Sequence, residues 1–396
     1  MTTQTQTILT PKKESSGQLT VGFALFSMFF GAGNLIFPLL IGKSVGGMSW
    51  YAIAGLFLTA VLTPFLGLGA MLLFRGDYYQ FFGRLGKIPG IFLLLLLQLI
   101  LGPFGVIPRL ITLMHAMLKP YLFNESLLLF SLGIGGLILV CSYNRRRLIS
   151  VLGGLTPLLL FGIAILVLLG ILSGSTFSLD VPTAKESFLA GLVGGYNTMD
   201  LIAAFMFATV ILPHFQQEMI VENPAQRHRL ILKKLFFPVG VAATLLFITY
   251  VGLCFVSAYH GWTMNASLPP EQLLGAIATK VLGPVGGLIA AVTVVLACLT
   301  TATTLVSIFA EYLRKDLCRE KMSPSVALLI TLAITTFISN LGFGSISALL
   351  GPILEIIYPG LILFTILNML QLLYGWRHVK WPVLITFVGS AVVYLI

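Results

Sequence analysis

The sequence predicts an all-α membrane protein: an inverted repeat of five plus five transmembrane helices, with one further helix at the C-terminal end. Three observations carry that prediction. Of the 396 residues, 58% are hydrophobic and only 9% are charged, whereas soluble domains average about 25% charged. Apolar runs long enough for a bilayer core of about 30 Å recur along the whole chain. Two of these runs, the first and the sixth, are interrupted by glycines and polar side chains. They lie an odd number of spans apart, so they point in opposite directions. Matched breaks in antiparallel halves are the sequence signature of an inverted-repeat architecture.

The elements follow in order. Residues 1–19, MTTQTQTILTPKKESSGQL, are polar, lack an apolar h-region and read as a cytoplasmic N-terminus without a cleavable signal. Span 1 is expected at 20–42 and holds the first break, FFGAGNLIFP, from Phe29 to Pro38. Spans 2 to 5, at 48–74, 90–113, 126–143 and 148–172, complete a first repeat over 20–172. An outer linker, 173–187, leads to span 6 at 188–212, where Gly194, Gly195, Tyr196, Asn197, Thr198 and Asp200 form the second break. Spans 7 to 10, at 235–258, 283–309, 324–341 and 346–373, complete the second repeat over 188–373. Residues 374–396 read as a cytoplasmic loop and a peripheral eleventh helix at 382–396. Between spans 7 and 8, SLPPEQLLGAIATKV has a cap candidate in Ser267, proline at the helix start and Glu271 in the first turn. This predicts a short helix from about Pro270 to Val281, either a lid over an outer vestibule or a plain surface helix.

Charge supports the same count. The net charge of +10 is spread over short loops, not over a nucleic-acid-binding patch. With the N-terminus inside, every one of the 23 Lys and Arg residues is cytoplasmic except Lys43, Arg109, Lys119, Lys185 and Lys280. That asymmetry orients the chain with its N-terminus in the cytoplasm. The four cysteines, Cys141, Cys254, Cys298 and Cys318, have no paired or metal-site spacing and are expected as free thiols. No HExxH, GxSxG or GxxxxGK[ST] segment is present, which argues against a membrane-embedded enzyme or an ATP-driven pump. A channel would also have polar spans, but paired antiparallel breaks favour alternating access.

The breaks are where chemistry is expected. Glycine costs roughly 1 kcal/mol against alanine within a helix, and in hydrocarbon each freed N–H or C=O needs a partner. A substrate or ion would supply one; the plain alternative is a small-residue packing notch. In span 8, Thr300 and Thr301 stand three and four residues beyond Ala297. Both hydroxyls can approach the Ala297 carbonyl, to bind a cation or simply to back-bond. Asp200 and Glu355 are acids within spans and should face the bundle. Asp200 could support a cation, carry a proton or tie down the broken backbone of span 1, while Glu355 could be protonated and structural. Arg109 ends span 3 after Pro103 and Pro108 and reads as an interfacial arginine snorkelling outward.

FFGAGNLIFP, the GPFGVIPR of span 3 (Gly102 to Arg109), GGYNTMD, LACLTTA (Leu296 to Ala302) and IYPG (Ile357 to Gly360) resemble the branched-chain amino acid:cation symporters of the BrnQ type. The resemblance runs from about residue 19 to 375. It implies the LeuT-like fold of the amino acid–polyamine–organocation group and sodium-driven uptake of leucine, isoleucine and valine across the cell (inner) membrane. Family members usually have a twelfth span; the eleven read here include both repeats. For an amino acid zwitterion, Gly31, Ala32 and Gly33, facing Gly194, Gly195 and Tyr196, would present helix-end N–H and C=O groups. The resemblance further implies cation roles for Asn34, at the substrate, and for Ala297, Thr300 and Thr301 with the carbonyls of Ser27 and Phe30. Apolar selectivity would come from Phe29, Tyr196, Phe205 and aliphatic residues of spans 3 and 8, and methionine is expected among accepted substrates. Sodium is expected as co-substrate, with no cofactor, no nucleic acid and no obligatory protein partner; the partners are the amino acid and the lipid bilayer. Proton coupling through Asp200 or Glu355 is the alternative.

Overall fold

The fold comes from a computed structural model that describes residues 17–122, 126–142, 145–174, 176–177, 182–218, 224–265, 267–375 and 378–395. Residues 1–16 of the polar N-terminus and parts of the 173–187 linker lie outside the described residues. So do the side chains of Arg145, Arg146, Arg147, Arg227 and Arg229, and the whole of Arg377.

Span 1 consists of α1 (Gln18–Phe29) and α2 (Ala32–Val45), parted at Phe30 and Gly31. Span 2 is α3 (Ser49–Phe57), a π turn (Leu58–Leu62) and α4 (Thr63–Leu73). A short helix, α5 (Tyr78–Gly83), is capped by the Asp77 carboxylate, which accepts from the Gln80 N–H at 2.9 Å. Span 3 is also divided, into α6 (Lys87–Leu101) and α7 (Val106–Leu118). Spans 4 and 5 are α8 (Leu127–Ser142) and α9 (Arg145–Leu172). Span 6 is α10 (Ala184–Thr198) and α11 (Asp200–Glu218); Thr183 and Glu186 form a capping box at its start. Span 7 is α12 (Pro224–His260) and span 8 is α13 (Leu273–Tyr312). Spans 9 to 11 are α14 (Pro324–Ser339), α15 (Gly342–Tyr374) and α16 (Lys380–Leu395).

The expected outer helix is present, and a non-helical residue, Gly283, parts it from span 8 within α13. A 3-10 turn at Pro270–Gln272 leads into α13, which kinks at Gly283, where φ is 72°. Glycine tolerates that angle, and Pro284 has no N–H to carry the ladder across it.

Packing reveals the repeat. Span 1 (α1, α2) lies against span 7 (α12), and span 6 (α10, α11) lies against span 2 (α3, α4). Span 3 (α7) meets span 8 (α13), and span 4 (α8) meets span 9 (α14). Exchanging each span of one repeat for its counterpart maps the first two contacts onto each other and each of the last two onto itself. A pseudo-two-fold between inverted halves requires that relation. The breaks at Phe30, Gly31 and Met199 are all buried, as interrupted backbone in a bilayer must be.

Candidate functional site

The break in span 1 begins with a diverted hydrogen bond. The Phe30 N–H still donates to the Phe26 carbonyl at 2.8 Å. The Gly31 N–H instead donates to Asn34 Oδ1 at 3.0 Å, so the Ser27 carbonyl loses its helical donor. Asn34 thereby caps α2, and its Nδ2 turns to span 6, donating to Asp200 Oδ2 at 2.6 Å and to the Tyr250 hydroxyl. Tyr250 donates to the same carboxylate oxygen at 2.8 Å. All three side chains are buried. The Asn34 oxygen, expected to face a cation, is thus already engaged by a backbone N–H, with one lone pair remaining.

Span 6 breaks at Met199, with φ 62° and ψ 18°. A left-handed conformation costs an L-residue roughly 1–2 kcal/mol, and such strain concentrates at functional sites. The glycine doublet is not the break. Gly194 and Gly195 are interior residues of α10, where any added Cβ would run into the Ile41 and Thr59 side chains. They are notches that let spans 1 and 2 approach, and beside them the Thr59 hydroxyl donates to the Leu192 carbonyl at 3.0 Å. Tyr196 does lie near the break, its ring centre 4.8 Å from that of Tyr358 in span 10. Asp200 opens α11, where the helix dipole favours a carboxylate.

The two breaks press on each other through Gly33. A Cβ there would lie 3.0 Å from Thr198 Cα, 3.2 Å from its carbonyl oxygen and 3.3 Å from the Asn197 carbonyl oxygen. Ala32, beside it, is buried in the first turn of α2. Gly31 is less confined. Its backbone is extended, and a Cβ would meet Leu110 at 3.5 Å and Thr301 at 3.6 Å, which is ordinary contact.

A third break joins them, and the sequence reading of span 3 missed its consequence. Residues Gly102 to Gly105 are not helical, so Arg109 stands in the first turn of α7, buried inside the protein and not snorkelling from its surface. It is 2% exposed. Its Nη1 donates to the Asn197 carbonyl at 3.1 Å, the same carbonyl that faces Gly33. The guanidinium carbon lies 5.6 Å from the ring centres of both Phe37 and Phe343. Two glycines and two prolines within Gly102 to Pro108 were the available signal.

Span 8 meets span 1 on the other side of the break. Thr301 Oγ1 lies 3.1 Å from the Ser27 carbonyl oxygen, 3.2 Å from that of Phe30 and 3.2 Å from that of Ala297. Thr300 donates to the Ala297 carbonyl at 2.7 Å. A cavity of about 10 Å³ adjoins this group, lined by Ser27, Thr156, Ala297 and Thr300 among others. Two hydroxyl protons, of Thr300 and Thr301, face three carbonyls, so the cluster holds more acceptors than side-chain donors.

One expected residue lies elsewhere. Phe205 packs at 5.3 Å and 5.5 Å against Phe81 and Phe82 of α5 and its surroundings, away from the breaks. Glu355 is half-buried on α15, close enough to Tyr196 for its charge to be felt there. Phe29 remains beside the break, its ring 5.2 Å from Phe65 and 5.1 Å from Phe207.

Comparison with known proteins agrees with this architecture. Residues 14–395 match the family model described as branched-chain amino acid transport protein. The chain is 29% identical to the branched-chain amino acid permease BraB of Bacillus subtilis over 373 residues, covering 91% of this chain and 81% of that protein. It is 27% identical to the permease BrnQ of the same organism, over 89% of this chain and 80% of that one. Among solved structures, inward-facing Mhp1 aligns with a TM-score of 0.62 at 15% identity, covering 96% of this chain and 89% of that one. A manganese transporter of Eremococcus coleocola aligns at 0.58 and 14% identity, over 98% and 88%. These last two share the fold alone. The family model spans nearly the whole chain, and the relatives named by sequence are permeases rather than enzymes. The chain belongs to the branched-chain amino acid transport protein family.

Proposed function

We propose that this chain carries out sodium-coupled uptake of leucine, isoleucine and valine by alternating access. It would lie in the cell (inner) membrane with its N-terminus in the cytoplasm, the orientation that the Lys and Arg distribution favours. The observation that carries the sodium reading is the Thr301 cluster. The break at Phe30 and Gly31 withdraws helical donors from span 1, and three carbonyls then converge on one hydroxyl within 3.2 Å. A hard cation is the partner such an oxygen-rich, donor-poor cluster suits. The amino acid would lie at the opposed breaks, with N–H groups at the start of α2 toward its carboxylate and helix-end carbonyls toward its ammonium. Similarity to BraB and BrnQ, both called branched-chain amino acid permeases, supports the substrate class.

A second reading has its own observation. Asp200 is a buried carboxylate at the break whose partners are an amide and a phenol, and a proton could be the coupling ion there, with apolar amino acids including methionine as substrates. Uptake of labelled leucine into proteoliposomes at fixed pH, with and without a sodium gradient, separates the two. Accumulation that needs only a pH gradient would overturn the sodium reading.

A further inference from the structure

Arg109 has a feature that its packing does not use. Nη1 serves the Asn197 carbonyl, but Nε and Nη2 are buried and find no hydrogen-bond partner among the described residues. Those two nitrogens form one edge of the guanidinium, with parallel N–H bonds. That edge takes a carboxylate through two charge-assisted hydrogen bonds. Phe37 and Phe343 cover the group from α2 and α15, their ring centres 6.5 Å apart. As hydrocarbon rings they offer no oxygen to that edge. A charge kept in that setting calls for a counter-charge that arrives from outside the chain.

Position narrows what that counter-charge is. Asn197 contributes one carbonyl oxygen, and both Arg109 and the face of Gly33 meet it. The free edge is therefore held within a residue or two of both opposed breaks, close to the N-terminus of α2. We infer that Arg109 binds the carboxylate of the transported amino acid, sharing it with the N–H groups that open α2, under the lid formed by Phe37 and Phe343. The inference rests on the substrate reading above in taking that ligand to be an amino acid. It adds a side-chain receptor in span 3 to a site otherwise built from backbone.

The contrasting role is a brace, in which Arg109 merely caps the C-terminus of α10. The full chain in detergent separates the two, with binding of L-leucine and of L-leucinamide, which lacks the carboxylate, measured side by side. In Arg109→Gln, leucine affinity should fall about 30-fold, the loss expected of charged hydrogen bonds, while leucinamide affinity stays within about threefold. In Arg109→Lys the charge persists without the fork, so leucine should weaken about tenfold and leucinamide little. Without ligand, Arg109→Gln should unfold at or above the wild-type temperature, because a buried unpaired charge has gone. Equal weakening of both ligands, or no weakening of either, overturns the inference; so does a lower unfolding temperature with leucine selectivity intact. If Arg109→Gln fails to fold, the Arg109→Lys ratio decides by the same criterion. If wild type ignores leucine, the remaining common amino acids and their amides are screened. A carboxylate preference that Arg109→Lys reduces would uphold Arg109 and overturn only the branched-chain reading, and binding of none overturns both.

Discussion

Asn34 Nδ2 donates to Asp200 Oδ2 at 2.6 Å, and this bond fastens the break of span 1 to the break of span 6. The same amide caps Gly31 through its oxygen. One side chain thus fixes the local geometry of α2 and its register against α11. Tyr250 extends the link into span 7. Asp200 has two buried donors to satisfy, so the anchoring role has a geometric basis. That role does not remove the coupling role, because whatever alters the carboxylate also alters both breaks.

Asp200→Ala should therefore destabilise the protein. It strands one N–H of the Asn34 amide and the Tyr250 phenol, at about 1–3 kcal/mol for each buried donor left unpaired. The thermal midpoint in detergent should fall by several degrees, and an unchanged midpoint would mean that the network contributes nothing. Asp200→Asn keeps one acceptor oxygen. It should preserve exchange of labelled for unlabelled leucine and reduce gradient-driven accumulation. Undiminished accumulation at every pH, with sodium fixed, would take Asp200 out of coupling.

Gly33 and Gly31 should respond in opposite ways. A methyl at Gly33 presses on the backbone of Thr198, 3.0 Å from its Cα, and backbone cannot rotate aside. Gly33→Ala should insert normally yet slow leucine uptake by at least about tenfold, a loss of roughly 1.4 kcal/mol or more in the barrier. Gly31→Ala makes only ordinary contacts and should remain within about twofold of wild type. Initial uptake rates at matched membrane abundance test this, and the reverse order would show that the breaks do not touch as described.

These two glycines also show what was legible in the sequence. The spans and the break at Phe30 and Gly31 were readable, because hydrophobic length and glycine each act locally. The second break was located only to within a few residues. Its left-handed residue is Met199, an uncommon choice for that conformation, whereas the conspicuous Gly194 and Gly195 serve contacts with Ile41 and Thr59. Those contacts are long-range and leave no local pattern. Arg109 was misplaced for a related reason. Its burial depends on the unwinding at Gly102 to Gly105 and on Phe37 and Phe343 arriving from distant spans. Thr301 was found because its neighbour Thr300 and the Ala297 carbonyl share one helix face.

At the end of span 8, Tyr78 and Tyr79 both donate to Asp316, at 2.7 Å and 2.9 Å. This ties α5 to the turn at Leu313–Leu317. Burial, and after it the Asp316 carboxylate, pushes both phenols above their ordinary range near 10. The folded state therefore holds these protons longer than the unfolded state. The stabilisation is complete below about pH 10 and is lost as pH rises beyond it. Tyr78→Phe should cost about 1 kcal/mol, and the difference in unfolding midpoint from wild type should stay flat from about pH 6 to pH 9. A difference that shrinks within that interval would show that another group controls the contact.

Thr301 offers the sharpest test of ion coupling. Thr301→Ser keeps the hydroxyl among the carbonyls of Ser27, Phe30 and Ala297, whereas Thr301→Val keeps the shape and removes the oxygen. One lost charged ligand contact is worth about 1.5–3 kcal/mol. The sodium concentration for half-maximal uptake should then rise about 10- to 100-fold in Thr301→Val, and only slightly in Thr301→Ser. Wild-type accumulation should respond to voltage. One co-transported charge across 100 mV supplies about 2.3 kcal/mol, or roughly 40-fold accumulation. In Thr301→Val at low sodium that gain should vanish while leucine exchange continues, because the substrate site at the breaks is left in place. Uptake by Thr301→Val with the wild-type sodium and voltage dependence would move the coupling ion away from this cluster and back to Asn34 and Asp200.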